Sequence, residues 1–224
     1  MERDNSLSSK LSKLIASASF EEAMHLKTIL SLAAGTGPIA DQTACEANVQ
    51  LLATIAGTLL EDSVAPERRR PVSITNEILE NLYSEAKLLR SKAHVNNHCR
   101  LHHIGPIATA FLSNTNLKTL VSDPAQPFRL QLATYTYYEE GDRLDLHLDD
   151  PASSLSTVIM LRHDSLPGVP RSRLMLVAPE AGRIFYDLEN GEAAIFQGSK
   201  VLHGREQLRA GESVILLVLL FKLS

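Results

Sequence analysis

The sequence has few cysteines, no long apolar run and no long run of basic residues. Its two cysteines, Cys45 and Cys99, form no CxxC motif, which favours a reduced, cytoplasmic protein over a disulfide scaffold. The longest apolar run, Val214 to Phe221, has eight residues, whereas a helix that crosses a membrane needs roughly 20. No apolar segment follows the charged N-terminus, so the sequence predicts neither a signal peptide nor a membrane partner.

The charge of the chain gives no indication of a nucleic-acid partner. Its formal net charge is −4, and the densest basic cluster, Arg68 to Arg70, ends at Pro71. A solvated linker explains this short cluster better than a nucleic-acid patch does. With 224 residues, 44% of them hydrophobic, the chain is long enough for one large domain or for a domain with a helical extension.

The first part of the chain, residues 1–122, has the apolar spacing of helices. Within it, the proline-containing segment 63–73 is expected to be a linker. A helix is predicted from Asn76 to Ala93 with Thr75 as its N-cap, and another from about Pro106 to Val121. The apolar faces of residues 1–65 need a partner, which is either the β-sheet or a second copy in a homodimer.

From residue 123 to residue 224 the pattern changes to short strands separated by turns. The predicted strands are 128–138, 143–149, 157–161, 174–177, 183–187, 193–196 and 214–221. Short strands joined by close turns predict a sandwich or a barrel.

The second predicted strand carries two metal-ligating residue types on one face. Side chains alternate between the faces of a strand, so His147 and Asp149 point the same way, about 7 Å apart. His203 follows 54 residues after Asp149, just before the last apolar strand. Two imidazoles and a carboxylate on one side of an ion form the facial triad of non-haem Fe(II) oxygenases. Zinc accepts the same ligands, and the solvated face of a strand is the alternative for so short a motif.

The context of this HxD motif resembles the iron(II)/2-oxoglutarate-dependent dioxygenase superfamily, especially its prolyl-hydroxylase-like branch. That branch has a tyrosine ten residues before the first histidine and a glycine six before it, here Tyr137 and Gly141. Its later landmarks are also present in order: the strand Ser156–Leu161, the strand Gly191–Phe196, His203, and a turn and closing strand over Gly211–Phe221. The resemblance covers about residues 128–224. It implies a mostly β double-stranded β-helix (jelly roll) core with N-terminal helices packed on it.

The resemblance also implies a hydroxylase that uses Fe(II), 2-oxoglutarate and O₂. His147, Asp149 and His203 would hold the iron, and Tyr137 would form a hydrogen bond to 2-oxoglutarate. A core tyrosine in an aromatic strand is the alternative for Tyr137. The superfamily pairs the far carboxylate of 2-oxoglutarate with an arginine or lysine about nine to eleven residues after the distal histidine. Ser213 stands at that place here, and it cannot neutralise the carboxylate, so the cation is expected to come from elsewhere.

Arg162 is the first candidate for that cation, because it ends an apolar strand and a buried arginine needs a partner. Arg129 is the second candidate, and Arg205 and Arg209 are expected in the turn after His203. An ordinary surface arginine is the alternative for each of them. His163, next to Arg162, is expected to be solvated or to cap a helix.

The sequence leaves the substrate open among a free amino acid, a peptide residue and another small molecule. The departure at Ser213 motivates a second hypothesis, a cupin-type metal oxygenase that does not use 2-oxoglutarate. A third hypothesis is a non-catalytic jelly-roll binding module.

Overall fold

The computed structural model of the chain describes residues 65–96, 98–121, 128–149, 155–178 and 182–223. The helices and the homodimer contact predicted for the first 64 residues lie outside this part of the chain. Among the described residues, no helix is both long and apolar enough to cross a membrane.

The described residues form two α-helices and eleven β-strands. The helices are α1, Asn76–Leu89, and α2, Pro106–Asn114. The strands are β1 Glu67–Arg69, β2 His94–Asn96, β3 Cys99–His103, β4 Phe128–Tyr138, β5 Leu144–His147, β6 Leu155–Asp164, β7 Leu174–Ala178, β8 Gly182–Tyr186, β9 Ala193–Phe196, β10 Leu202–Arg205 and β11 Ser213–Leu223.

Two sheets built from these strands make the predicted jelly roll. The larger sheet has the order β1-β9-β6-β11-β4-β3-β2, and the smaller has the order β5-β10-β7-β8. Neighbouring strands are antiparallel in both sheets. The predicted fold class, a mostly β double-stranded β-helix, is therefore confirmed.

The larger sheet has an apolar core on each of its faces. The inter-sheet core is shared with the smaller sheet and includes Tyr138, Met160, Leu174, Leu176, Phe196 and Val214. The helix-side core includes Leu82, Phe111, Tyr135, Tyr137, Ile159 and Leu217. Because side chains alternate along a strand, adjacent residues such as Tyr137 and Tyr138 serve different cores. This alternation decides which side chains reach the space between the two sheets.

The first described helix begins as predicted, with the Thr75 hydroxyl accepting a hydrogen bond from the Ile78 amide at 3.2 Å. It ends at Leu89 rather than Ala93, and α2 ends at Asn114 rather than Val121.

Residues 65–121 also contain β1, β2 and β3, which the helical spacing did not predict. The prediction of a linker at 63–73 is wrong for Glu67–Arg69, because this segment pairs with β9. A 2.6 Å ion pair joins Arg68 of β1 to Glu192, the residue before β9. Such short strands form by pairing with residues far along the chain, so their own sequence carries little periodic signal.

Candidate metal centre

The backbone brings His147, Asp149 and His203 together at one end of the smaller sheet. His147 ends β5 and lies opposite His203 of β10 in the strand register. Asp149 follows β5, and its amide donates to the carbonyl of Gly198 at 2.8 Å. One ligand atom from each of the three residues lies within 4.8 Å of the other two. The convergence predicted from strand parity is therefore present in the structure.

The distances between these atoms suit a single ion. His147 Nε2 lies 3.7 Å from Asp149 Oδ1, and His203 Nε2 lies 3.5 Å from the same oxygen. Ligands that each lie ~2.1 Å from a metal are about 3 to 3.5 Å apart when adjacent. A small contraction of the site would thus complete the coordination.

Hydrogen bonds set the tautomer of both histidines. His147 Nδ1 lies 2.9 Å from the carbonyl oxygen of Asp145, and His203 Nδ1 lies 2.9 Å from that of Val201. A carbonyl only accepts hydrogen bonds, so each Nδ1 carries the hydrogen and donates it. In the neutral ring the lone pair is then on Nε2, which is how backbone carbonyls orient histidines toward a metal.

Asp149 is ionised in this environment. Burial by itself would raise its pKa, but electrostatic interaction with His203, contacts with the His147 and His203 rings and a hydrogen bond from Ser156 lower the pKa of the carboxyl below its usual value. The Ser156 hydroxyl donates to Asp149 Oδ2. A metal cation between these side chains would likewise favour the ionised form of the Asp149 carboxyl.

Gly198 leaves the space that Asp149 occupies. A Cβ atom at this position would overlap Oδ2 of Asp149 and Oγ of Ser156. The sequence analysis assigned no role to Gly198. The steric requirement arises from residues distant in sequence, so no local pattern reports it.

Tyr137 lies on the other side of the larger sheet from the triad, which corrects its predicted role at the cosubstrate. Its buried hydroxyl donates to the carbonyl of Ala86 in α1 at 2.8 Å. Burial is the main cause that raises its pKa, to about 12. The tyrosine that reaches the inter-sheet core is its neighbour Tyr138.

Arg162 and Ser213 are also not brought to the triad. Arg162 forms a 2.8 Å ion pair with Asp164, and its Cζ lies 5.7 Å from the ring centre of Tyr83 in α1, so it is on the helix side. The register between β6 and β11 shifts next to Arg162. This shift breaks the alternation of side chains along β6, so Arg162 is not on the face that its position in the sequence suggested. Ser213 lies opposite Asp164 in the strand register. It comes one residue before Val214 of the inter-sheet core, so it lies on the opposite face of the sheet from that core.

The other candidate arginines differ sharply in burial. Arg129 is exposed, and Arg209 donates to the carbonyl of Pro170 from an exposed position. Arg205 is buried, with 3% of its surface exposed. It lies in β10 and not in the predicted turn. The sequence analysis did not identify this four-residue strand.

A second buried polar cluster lies beside Arg205. His163 Nε2 lies 2.5 Å from Glu212 Oε1, and both side chains are almost completely buried, which corrects the expectation of a solvated His163. Burial is the main cause that lowers the pKa of His163. The pair is therefore a neutral imidazole that donates to an ionised carboxylate.

No protein-family model and no curated protein sequence matches the chain. Among solved structures, the chain is similar to a prolyl-4-hydroxylase from Pseudomonas putida, with a TM-score of 0.55 and 15% identity over 77% of this chain and 99% of that one. It is also similar to a prolyl hydroxylase from Trichoplax adhaerens in complex with a hypoxia inducible factor peptide fragment. The TM-score is 0.59, and the identity is 11% over 82% of this chain and 94% of that one. A third similar structure is HygX from Streptomyces hygroscopicus with nickel, 2-oxoglutarate and hygromycin B bound. Its TM-score is 0.55, and the identity is 12% over 74% of this chain and 85% of that one.

Proposed function

We propose that this chain, which has the fold of the 2-oxoglutarate and iron(II) oxygenases, is an Fe(II)- and 2-oxoglutarate-dependent oxygenase that hydroxylates a C–H bond. The observation that carries the proposal is the convergence of His147, Asp149 and His203 at the edge of the jelly roll. Two imidazoles and one carboxylate on one side of an ion leave the other side open, as oxygen activation requires.

The residues around the site prepare it for a metal. His147 and His203 present Nε2 because their Nδ1 atoms donate to carbonyls. Asp149 is held by a hydrogen bond from the Ser156 hydroxyl and by the hydrogen bond that its own backbone amide donates to the Gly198 carbonyl. Bound iron and 2-oxoglutarate would supply the oxidising chemistry, while the protein supplies orientation and shields the site from water.

The substrate we propose is a small molecule, an amino acid or a peptide residue. Two proteins of similar fold have ligands of different kinds, a peptide fragment in one and hygromycin B in the other. The fold is therefore compatible with both substrate classes.

Succinate release tests the function. The full chain is incubated with Fe(II), 2-oxoglutarate and O₂, with and without candidate substrates, and succinate is measured. His147→Ala and Asp149→Ala should abolish release, because each removes a ligand. His98→Ala is the matched control, since its half-exposed ring pairs with Asp145 instead of Asp149.

Oxygen consumption and metal binding, measured on the same samples, separate the rival functions. Oxygen consumption that does not depend on 2-oxoglutarate would indicate a cupin-type oxygenase, the hypothesis that Ser213 motivates. Absence of both metal binding and oxygen consumption would indicate a non-catalytic binding module. Either result would contradict the proposed function.

A further inference from the structure

Arg205 is a buried cation whose hydrogen-bonding capacity is largely unused. Its Nη1 donates to the carbonyl and hydroxyl oxygens of Ser172, at 3.1 and 3.2 Å. Its Nε and Nη2 are buried and have no hydrogen-bond partner within the described part of the chain. A guanidinium stays charged in proteins, and buried charges are normally paired. Two unsatisfied donors on a buried cation point to an anion that binds there.

The buried acid Glu212, which interacts electrostatically with Arg205, does not serve as that anion. Glu212 Oε1 accepts from His163 and from the Ser172 amide, and Oε2 accepts from the Arg209 amide at 2.8 Å. Glu212 balances part of the charge of Arg205 through space, but it offers no hydrogen bond to Nε or Nη2.

The open edge of Arg205 has the geometry of a carboxylate site. Nε and Nη2 lie side by side and form the edge of the guanidinium that binds a carboxylate through two parallel hydrogen bonds. This chain uses the same edge at Arg173, where Nε and Nη2 each donate to one oxygen of Glu206 at 2.9 Å. A carboxylate is therefore the ligand chemistry that Arg205 fits best.

Arg205 lies on the same face of β10 as the metal ligand His203. Two residues along one strand separate their Cα atoms by about 7 Å. In the register with β7, His203 lies opposite Leu176 and Arg205 opposite Leu174, and both leucines belong to the inter-sheet core. The Arg205 Cζ lies 5.7 Å from the ring centre of Tyr138, which reaches this core from the larger sheet. The guanidinium is thus inside the jelly roll beside the triad.

We propose that Arg205 binds the far carboxylate of the 2-oxo acid whose other end chelates the metal. This inference rests on the proposed function. The chelating atoms of 2-oxoglutarate belong to its first two carbons, and the second carboxylate lies three carbons further on. That reach is comparable to the separation of His203 and Arg205 along β10. Arg205 would then replace the basic residue that Ser213 lacks.

Calorimetric titration of the full chain loaded with Ni(II) tests this assignment, because HygX holds nickel and 2-oxoglutarate together. The two ligands are 2-oxoglutarate and 2-oxobutanoate, which keeps the chelating end but has no second carboxylate. Arg205→Gln should weaken 2-oxoglutarate binding at least about 30-fold and leave 2-oxobutanoate binding nearly unchanged. Arg162→Gln is the matched control and should change neither affinity. Nickel affinity and melting temperature are measured for each variant.

Arg205→Lys provides a second test, since it keeps the charge but loses the bidentate edge, and should weaken 2-oxoglutarate binding less than Arg205→Gln does. The wild-type protein provides a third, because it should prefer 2-oxoglutarate to 2-oxobutanoate. Equal affinity of the wild type for both ligands, or an Arg205 variant that retains full 2-oxoglutarate affinity, would overturn the assignment of Arg205 without contradicting the proposed function. A wild type that binds nickel but no 2-oxoglutarate would overturn the proposed function as well.

Discussion

The position of Asp149 depends on a close approach between its carboxylate and the backbone at Gly198. The Ser156 hydroxyl and the Gly198 carbonyl both hold this residue, and no space remains for a Cβ atom at position 198. A small residue at such a contact leaves room for the side chain that would bind the metal. The groups around that side chain then fix its orientation.

Gly198→Ala should therefore weaken metal binding by about 10- to 100-fold, because the new methyl group displaces the Asp149 carboxylate. The measurement is a titration with Ni(II). Gly168→Ala is the control: a Cβ at this positive-φ turn meets no atom within 4 Å. That variant should lower the melting temperature by a few degrees at most and keep its nickel affinity. Unchanged metal affinity in Gly198→Ala would refute the steric argument.

The convergence of His147, Asp149 and His203 was predictable from the sequence, but the residues that surround them were not. His147 and Asp149 share strand parity, and His203 occupies the family position of the distal histidine. Tyr137 was wrongly assigned because the spacing counted from His147 ignores which face of β4 a residue occupies; Tyr138 is the inward one. Arg205 was undervalued because β10 is only four residues long and lacks a strand signal.

Helix α2 has no side-chain cap of its own, and Glu85 of α1 supplies one. Gly105 is its N-cap residue, while Glu85 Oε1 and Oε2 accept from the amides of Ile107 and Ala108 at 2.5 and 3.0 Å. Glu85 Oε2 also accepts from the Tyr135 hydroxyl of β4 at 2.7 Å. One buried carboxylate therefore ties both helices to the larger sheet.

Glu85→Ala should lower the free energy of unfolding by about 3 kcal/mol, because it leaves several buried donors without acceptors. Urea unfolding measures the effect. Glu80→Ala, on the exposed side of the same helix, should change stability by less than about 0.5 kcal/mol. A similar loss in both variants would contradict the shared cap, because alanine is a better helix former than glutamate and helix propensity cannot cause that loss.

Glu212 joins β6 to the segment before β7 through His163 and Ser172. Burial opposes its ionisation, but hydrogen bonds from the Arg209 amide, His163 and Ser172 lower the pKa of Glu212 below its usual value. A carboxyl whose pKa is lower in the folded state stabilises the protein above the ordinary carboxyl pKa, and this stability is lost as the pH falls. The buried neutral His163 acts in the same direction.

Glu212→Gln should accordingly cost about 2 kcal/mol of stability near neutral pH, and the difference from wild type should shrink toward about pH 3, because the unfolded chain then takes up a proton that the native carboxylate still resists. Urea midpoints at the two pH values give the comparison. Glu189→Gln is the exposed control, with 65% of its side chain accessible, and should have little effect at either pH. A difference that does not vary with pH would contradict an ionised Glu212.

At the scale of the whole molecule, strand periodicity and the landmarks around HxD were sufficient to predict the jelly roll. These signals cover residues 128–223, where the apolar alternation and the positions of the turn glycines predict the same strands. The strands β1 to β3 were missed because they are short and are stabilised by β4 and β9, which are distant in sequence. The division into a helical N-terminal region, residues 1–122, and a β core, residues 123–224, remains a prediction, since the first 64 residues are outside the described structure.

Metal binding should stabilise the folded protein as a whole, because the three ligands meet only after β5 and β10 have paired. An ion at 100 times its dissociation constant adds about 2.7 kcal/mol, which corresponds to a rise in melting temperature of about 5 to 10 °C for a domain of this size. Thermal unfolding with and without Ni(II) measures this rise. His147→Ala should not show it, whereas His98→Ala should; a rise in both variants would place the metal elsewhere.

The central claim is that the triad and the inter-sheet space bind Fe(II) and 2-oxoglutarate together. An anaerobic titration of the full chain with Fe(II) and then 2-oxoglutarate tests it most directly, because chelation of Fe(II) by a 2-oxo acid produces a weak visible charge-transfer band. We predict that the band appears only when both components are present and that it is absent in His147→Ala. A wild-type protein that binds Fe(II) but develops no such band at saturating 2-oxoglutarate would contradict the account.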